Sequence, residues 1–289
     1  AGSSRDQGSR RGLRRALLKR IDLHTHSRFS DGTCPPREIA TRAKAAGVAL
    51  VFLTDHDSVS GFPEARDAAK EAGVELRCGI EINTVHADNI HILGYGLRWS
   101  EAGFQARLEV FRQRRRGRVA RIVEQLRALG LDIDESDVVA EGQQTLGRPH
   151  VADALRRKGI VGSRQEAFNR FLARGKPGYV DSAGPTPEEA IALIRGAGGF
   201  CSLAHPETLA DETLIEGWAK AGLEGIEAYY STHRPSEVAR YLRLAGDHGL
   251  LATGGTDFHG PGSGRNQPLG VDVPDEVFDR FMERLSRCS

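Results

Sequence analysis

The sequence predicts an α/β fold built as a barrel, and three observations point there. Short apolar runs alternate with helix-period segments at both ends of the chain, as in strand–helix–strand units around a mostly parallel sheet. The length, 289 residues, suits a single barrel-sized unit. Histidines, aspartates and glutamates recur where the apolar runs end, which is where parallel α/β folds carry their active sites.

The first strand opens the run IDLHTHSRFSDG, residues 21–32. Side chains at i and i+2 of a strand share a side, so His24 and His26 can present two imidazoles to one ion, with Asp31 returning from the following turn. Residues 36–47, PREIATRAKAAG, read as a helix with proline at its entry and glycine past its end. VALVFLTDHD (48–57) follows as a buried strand, 62–73 as a helix closed by Gly73, VELRCGIEIN (74–83) as a strand and HILGYGL (91–97) as another. There the alternation stops. Residues 99–181 are helical and charged, with amphipathic segments at 111–130, 150–159 and 163–175, and the Pro- and Gly-rich stretch 173–187 returns the chain to the sheet. Helices at 187–198, 212–222 and 236–249 then alternate with strands at 199–206, 223–230 and 250–259. The expected organisation is a basic, disordered tail over 1–20, a barrel made from 21–98 and 184–289, and a helical insertion over 99–183 that caps the substrate.

Composition removes several function classes. Lys+Arg number 40 against 39 Asp+Glu, so the whole-protein field does not favour a polyanion, and stable duplex binding would want a broad basic surface. No apolar run approaches the roughly 18 residues of a membrane span. The cysteines, Cys34, Cys78, Cys201 and Cys288, have no paired spacing, which suits free thiols in the cytoplasm.

The chemistry is expected at the strand ends. His24 and His26 close the first strand, His56 between Asp55 and Asp57 the second, Glu81 the third, His91 the next, His205 the strand GFCSLAH, and Asp257 with His259 the last. One strand-end histidine is more often a hydrogen-bonded structural residue than a ligand, but a converging set reverses that reading. Mixed imidazole and carboxylate donors suit borderline divalent ions such as zinc, manganese or iron rather than calcium. The lack of cysteine at these positions argues against a structural thiolate zinc site. Asp55 and Asp57 are read first as turn-capping hydrogen-bond acceptors, with support of His56 as their functional option.

Taken together, DLHTHSRFSDG, LTDHD, the glutamate of GIEIN, HILGYG, LAHP and GGTDFHG resemble the PHP (polymerase and histidinol phosphatase) family of metal-dependent phosphoesterases. The resemblance covers residues 21–98 and 184–272 with the motifs in order. It implies a distorted (β/α)7 barrel and a trinuclear metal centre. One ion would take His24, His26, Glu81 and Asp257; a second would share Glu81 with His91 and His205; a third would take Asp31, His56 and His259. Asp31 thereby moves from the ion of His24 and His26 to another. Asp31 also resembles the nucleotide-acting branch, the nucleoside 3′,5′-bisphosphate and AMP phosphatases, and its oxygen donor favours manganese over zinc, so the three divalent ions are expected to be manganese first, with zinc or iron as the other choices. No catalytic side chain is implied beyond the ligands of a metal-activated water. Cations sharing Glu81 would lower the pKa of that water and offset phosphoryl charge.

The insertion supplies the candidates for reading substrate. Arg115 and Arg118, with Arg114 or Arg121, lie at helical spacing and share a face that can meet a second phosphate. Arg148 and His150 in GRPH are expected substrate contacts by the same resemblance, with Lys176 in GKPGY and His233 in YYSTHRP as weaker choices. Arg265, in the glycine-rich GPGSGRNQP, reads equally as a mobile lid or a surface turn; His86 and His248 read as structural or solvent-facing. The expected substrate is a small phosphorylated nucleotide, with trimming of short RNA or DNA ends as an extension. Histidinol-phosphate phosphatase is the alternative, and a non-catalytic module docked on a replication protein is the alternative from another class.

Overall fold

The structure, a computed structural model, describes residues 18–86, 90–139, 143–265 and 267–288. Most of the expected basic tail lies outside them. Leu18, Lys19 and Arg20 belong instead to the first strand, β1 (Leu18–Thr25), because they pair with a strand near the C-terminus.

The elements of the first half alternate as β1, α1 (Pro36–Ala45), β2 (Leu50–Leu53), α2 (Phe62–Ala72), β3 (Leu76–Asn83) and β4 (His91–Tyr95). After the helical block come α7 (Pro187–Gly196), β5 (Phe200–Leu203), α8 (Leu214–Ala221), β6 (Gly225–Tyr230), α9 (Pro235–His248), β7 (Leu251–Gly255), β8 (Val271–Pro274) and α10 (Asp275–Ser286). The strands form one sheet in the order β7-β6-β5-β4-β3-β2-β1-β8. The sheet curls until β1 meets the end of β7: Thr25 bridges Phe258 in parallel, and the His26 amide donates to the Phe258 carbonyl at 2.8 Å. Gly255 permits that closure, since a Cβ there would stand 2.5 Å from the Cβ of His24.

Two departures from the expected sheet have simple causes. β4 runs antiparallel to both β3 and β5, because the short link from Asn83 to His91 returns the chain as in a hairpin and leaves no room for a crossover helix. β8 and α10, which the sequence reading did not include, add an antiparallel strand on β1 and a helix beneath the barrel. Phe281 of α10 lies 5.2 to 5.8 Å, ring centre to ring centre, from Phe52, Tyr95 and Phe200, in the cluster at the end of the barrel opposite His24 and His26. Between β3 and the helix layer, Ile80 and Ile82 pack outward with Ile39, Phe62 and Ala65, so Glu81 points the other way.

Between β4 and α7 runs α3 (Ala102–Ala128), followed by the short helices α4 (Glu135–Val138), α5 (Arg148–Arg157) and α6 (Arg164–Ala167), which continues into one π-helical turn (Phe168–Leu172). These helices share their own apolar cluster, including Ile122, Leu126, Val151, Leu155 and Leu172. Among the described residues no helix is long and apolar enough to cross a membrane.

Candidate metal centre

Sequence spacing, strand direction and local irregularity together gather the ionisable side chains at one mouth of the barrel. β1 slips register between Asp22 and Thr25, and β6 does so between Glu227 and Tyr229, so two bulges flank the site and re-aim His24 and Glu227. His56, beyond the end of β2, bridges Glu81 on β3. His91 opens β4 rather than closing it; because β4 runs antiparallel, its start lies at the same mouth as the ends of the parallel strands. Asp57, His205 and Asp257 are the non-glycine residues with positive φ, at 48°, 28° and 51°, among the described residues. Such conformations cost of order 1–3 kcal/mol each and cluster at functional sites.

Glu81 is the hub. Its Oε2 stands 3.3 Å from His24 Nε2, 3.1 Å from His26 Nε2 and 2.8 Å from His56 Nδ1, while Oε1 stands 2.8 Å from His91 Nδ1 and 3.1 Å from His205 Nε2. Asp257 Oδ1 lies 3.3 Å from His24 Nε2 and 3.2 Å from His26 Nε2. Asp31 Oδ1 lies 3.1 Å from His259 Nε2 and 3.6 Å from His56 Nε2. Three groups have donor atoms mutually within 4.8 Å: His24, His26, Glu81, Asp257; His26, Asp31, His56, His259; and His56, Glu81, His91. Eight of the nine expected ligands fall in these groups; His205 is in none of them, and His56 takes the place expected of it beside Glu81 and His91, although His205 Nε2 still stands 3.1 Å from Glu81 Oε1. Two are more shared than the sequence implied: His26 also faces Asp31's group, and His56 stands beside Glu81 and His91 as well as Asp31.

The donor atoms fit divalent cations. His24 Nε2, His26 Nε2, His56 Nδ1, Asp31 Oδ1, Glu81 Oε2 and Asp257 Oδ1 are buried and make no hydrogen bond of acceptable geometry, although they crowd one another. Buried polar atoms left in that state are costly unless something else satisfies them. Burial alone would raise the carboxyl pKa values, but facing imidazoles overcome it: His56, His24 and His91 hold Glu81 well below its ordinary range, and His259 and His56 do the same for Asp31. Asp257 is likewise held low, with Arg265 the largest of its lowering partners. Burial pushes His91 down to about 3, so its imidazole is neutral.

Residues behind the expected ligands hold them in place, and the sequence reading missed most of these. Glu227 is buried with its carboxylate oxygens 3.1 and 3.2 Å from His24 Nδ1, and it also accepts the His205 amide at 2.8 Å. A carboxylate on the far nitrogen of a ligand histidine fixes its tautomer and ring plane. The alternation of LEGIEAYY already turned Glu227 inward; nothing local paired it with His24. Asp22 accepts from the Thr256 amide and hydroxyl and from the Gly270 amide, at 2.7 to 3.0 Å, binding β1 to the loops after β7. Asp55 accepts from the Ser27 amide, the Ser27 hydroxyl and the Ser30 hydroxyl, each at 2.7 Å, which is the capping role expected of it. Asp57 instead meets the insertion: Arg115 Nε lies 3.2 Å from its Oδ2, and Arg112 donates to its carbonyl at 3.1 Å. Tyr230 donates to Asp257 Oδ2 at 3.0 Å, and Arg265 pairs with that same oxygen.

Above the metal-ligand cluster opens a cavity of about 750 Å³, floored by Asp31, His56 and His259. Arg115, Arg118 and Arg148 line it as expected, and so do Arg164, Arg265 and His86. Arg112, Arg115 and Arg118 are the buried arginines of α3, spaced three apart on its inner face; Arg114 and Arg121 are exposed. Arg118 donates twice to the Val180 carbonyl, at 2.9 and 2.7 Å, and burial beside Arg148 and Arg115 pushes it down to about 10.

Three expected substrate contacts are placed elsewhere. His150 is buried, accepts the Gly147 amide on Nδ1 at 2.9 Å and reaches the Ser30 carbonyl with Nε2 at 2.7 Å, so both nitrogens are occupied inside the protein. His233 is likewise engaged, by the Ala228 carbonyl and by Glu207, each at 3.0 Å. Lys176 is exposed on a turn outside the cavity wall, which Arg174 and Tyr179 reach instead.

The profile of the PHP domain matches residues 22–179, more than half of the chain. The chain belongs to the PHP domain family. Among curated PHP relatives, a 3′,5′-nucleoside bisphosphate phosphatase of Chromobacterium violaceum is 36% identical, over 86% of this chain and 90% of its own. A 5′-3′ exoribonuclease of Haemophilus influenzae is 32% identical, over 92% of this chain and all of its own. Among solved structures, a candidate metal-dependent phosphoesterase of Bifidobacterium adolescentis superposes with a TM-score of 0.83 at 34% identity, covering 93% of this chain and 96% of that one.

Proposed function

We propose that this PHP chain is a metal-dependent phosphomonoesterase that hydrolyses phosphate from small nucleotides, foremost a nucleoside 3′,5′-bisphosphate or a nucleoside monophosphate, and that it also trims short RNA or DNA ends. The observation that carries this reading is the stacking of two features: unsatisfied imidazole and carboxylate atoms converging on Glu81, directly beneath a cavity walled by arginines. The relatives' activities on nucleoside bisphosphates and RNA support it.

In this reading three divalent cations, manganese by preference, are held by His24, His26, Glu81 and Asp257, by Glu81, His91 and His205, and by Asp31, His56 and His259. Bound there, they would activate water and offset charge on the phosphoryl oxygens. The chain's own residues do the rest. Glu227 holds the His24 ring, and Tyr230 with Arg265 holds the Asp257 carboxylate. Arg115, Arg118 and Arg148 receive the substrate's second phosphate, where guanidinium groups give strong charge-assisted hydrogen bonds. Residues 99–183 act as a cap that keeps the reacting phosphate from bulk water. The four free cysteines suit a reducing compartment.

The test is phosphate release with added manganese over nucleoside bisphosphates, nucleoside monophosphates, short RNAs and histidinol phosphate. Nucleotides are expected to lead. Preferential turnover of histidinol phosphate would overturn the reading, as would full activity after Asp257→Asn.

A further inference from the structure

The outer wall of the cavity carries an aromatic stack that neither the metal-ligand cluster nor a second phosphate requires. Phe168 and Tyr179 both line the cavity and are both partly exposed. The Arg148 guanidinium lies 5.6 Å from each ring centre, so the three groups make one continuous ring–cation–ring wall. Phe168 begins the π-helical turn, closed by the Ala173 amide donating to the Phe168 carbonyl at 2.9 Å. A π turn shifts side chains around the helix axis at a cost in hydrogen-bond geometry, and such turns gather at functional sites. Here the turn sets one end of the ring in the cap's apolar cluster and leaves it on the cavity wall.

A phosphate needs only cations, which Arg115, Arg118 and Arg148 supply, and it makes no use of the two rings beside Arg148. Flat apolar faces call for a flat ligand, and a cavity of about 750 Å³ leaves room for one beyond the phosphates. We propose that Phe168 and Tyr179, each beside Arg148, form a stacking platform for the nucleobase. The platform reads base presence rather than base identity, because every base has a π face and stacking is tolerant of sequence. This inference rests on the nucleotide reading above.

The test compares adenosine 3′,5′-bisphosphate with its abasic analogue, a ribose 3,5-bisphosphate lacking the base, in the manganese-loaded full chain. Wild type is expected to favour the nucleotide in kcat/KM by about tenfold or more, and Phe168→Leu to bring that ratio towards one. If Phe168→Leu fails to fold, Tyr179→Leu, in the loop after the π turn, carries the same comparison; Tyr179→Phe keeps the ring and should keep the ratio. Equal use of both compounds by wild type overturns the platform and leaves the phosphatase reading standing, and so does a variant that lowers both in proportion. No release from either compound overturns both.

Discussion

Replacing His150 with alanine tests whether the helical block after β4 and the Asp31 loop are one mechanical unit. The ring joins them: Nδ1 accepts the Gly147 amide at the start of α5, and Nε2–H donates to the carbonyl of Ser30, the residue before Asp31. Both partners are buried, so alanine leaves one donor and one acceptor unmet at about 1–3 kcal/mol each. The expected loss of stability at pH 8 is about 2–6 kcal/mol, read as a lowered urea midpoint. Only the neutral ring, bare at Nδ1, satisfies both contacts, and burial holds the imidazole below its ordinary value of 6.5. The unfolded chain therefore takes up a proton on His150 before the folded one does. Its contribution is complete above about pH 6.5 and is lost as the pH falls below that value. The gap between wild type and His150→Ala should thus narrow from pH 8 to pH 5.5. A gap under about 0.5 kcal/mol at pH 8, or one that widens on acidification, refutes this account. Because Ser30 leads into Asp31, the variant should also bind manganese more weakly by calorimetry.

Asp257→Asn and His26→Ala should each lower bound metal by elemental analysis and phosphate release by at least about a hundredfold, with the far-ultraviolet circular dichroism retained; near wild-type turnover in either would count against the ligand assignment. Glu227→Gln keeps the size of the side chain but not its charge behind His24, and should cost about 10–100-fold in metal affinity or activity, measured by manganese titration. Arg118→Ala should raise KM for a nucleoside 3′,5′-bisphosphate by about tenfold or more while moving a monophosphate far less. Equal effects on both would place the second phosphate elsewhere.

The imidazoles and carboxylates that gather around Glu81 were legible because each depends on a short-range rule. The i, i+2 spacing of His24 and His26, and the placing of His56, Glu81, His205 and Asp257 at or just beyond apolar runs, follow from the period of a strand. His91 was found for a reason that needed amending, since its strand runs backwards and its first residue, not its last, meets the others. The residues of the helical block were harder to assign. GRPH offered Arg148 and His150 as neighbours of equal standing, yet α5 sends the arginine to the cavity and uses the histidine as an internal tie. Helical spacing on α3 selected Arg115 and Arg118 but could not set Arg114 and Arg121 apart from Arg112, whose burial depends on which face meets Asp57. The amphipathic run of α10 was present in the sequence, but nothing local announced that Phe281 would pack against Phe52, Tyr95 and Phe200.

What this sequence determined by itself is the order of strands and helices as far as β7 and the inventory of imidazole and carboxylate donors, because hydrophobic period and residue chemistry act over a few positions. Which donors cluster together, which carboxylate braces which ring, and which arginine lines the cavity were decided by tertiary structure. Glu227 and His24 are 203 residues apart, and Asp22 and Thr256 are 234 apart. Contacts of that separation exist only once the barrel has closed, and closure depends on the bulges in β1 and β6 and on the bare Cα of Gly255.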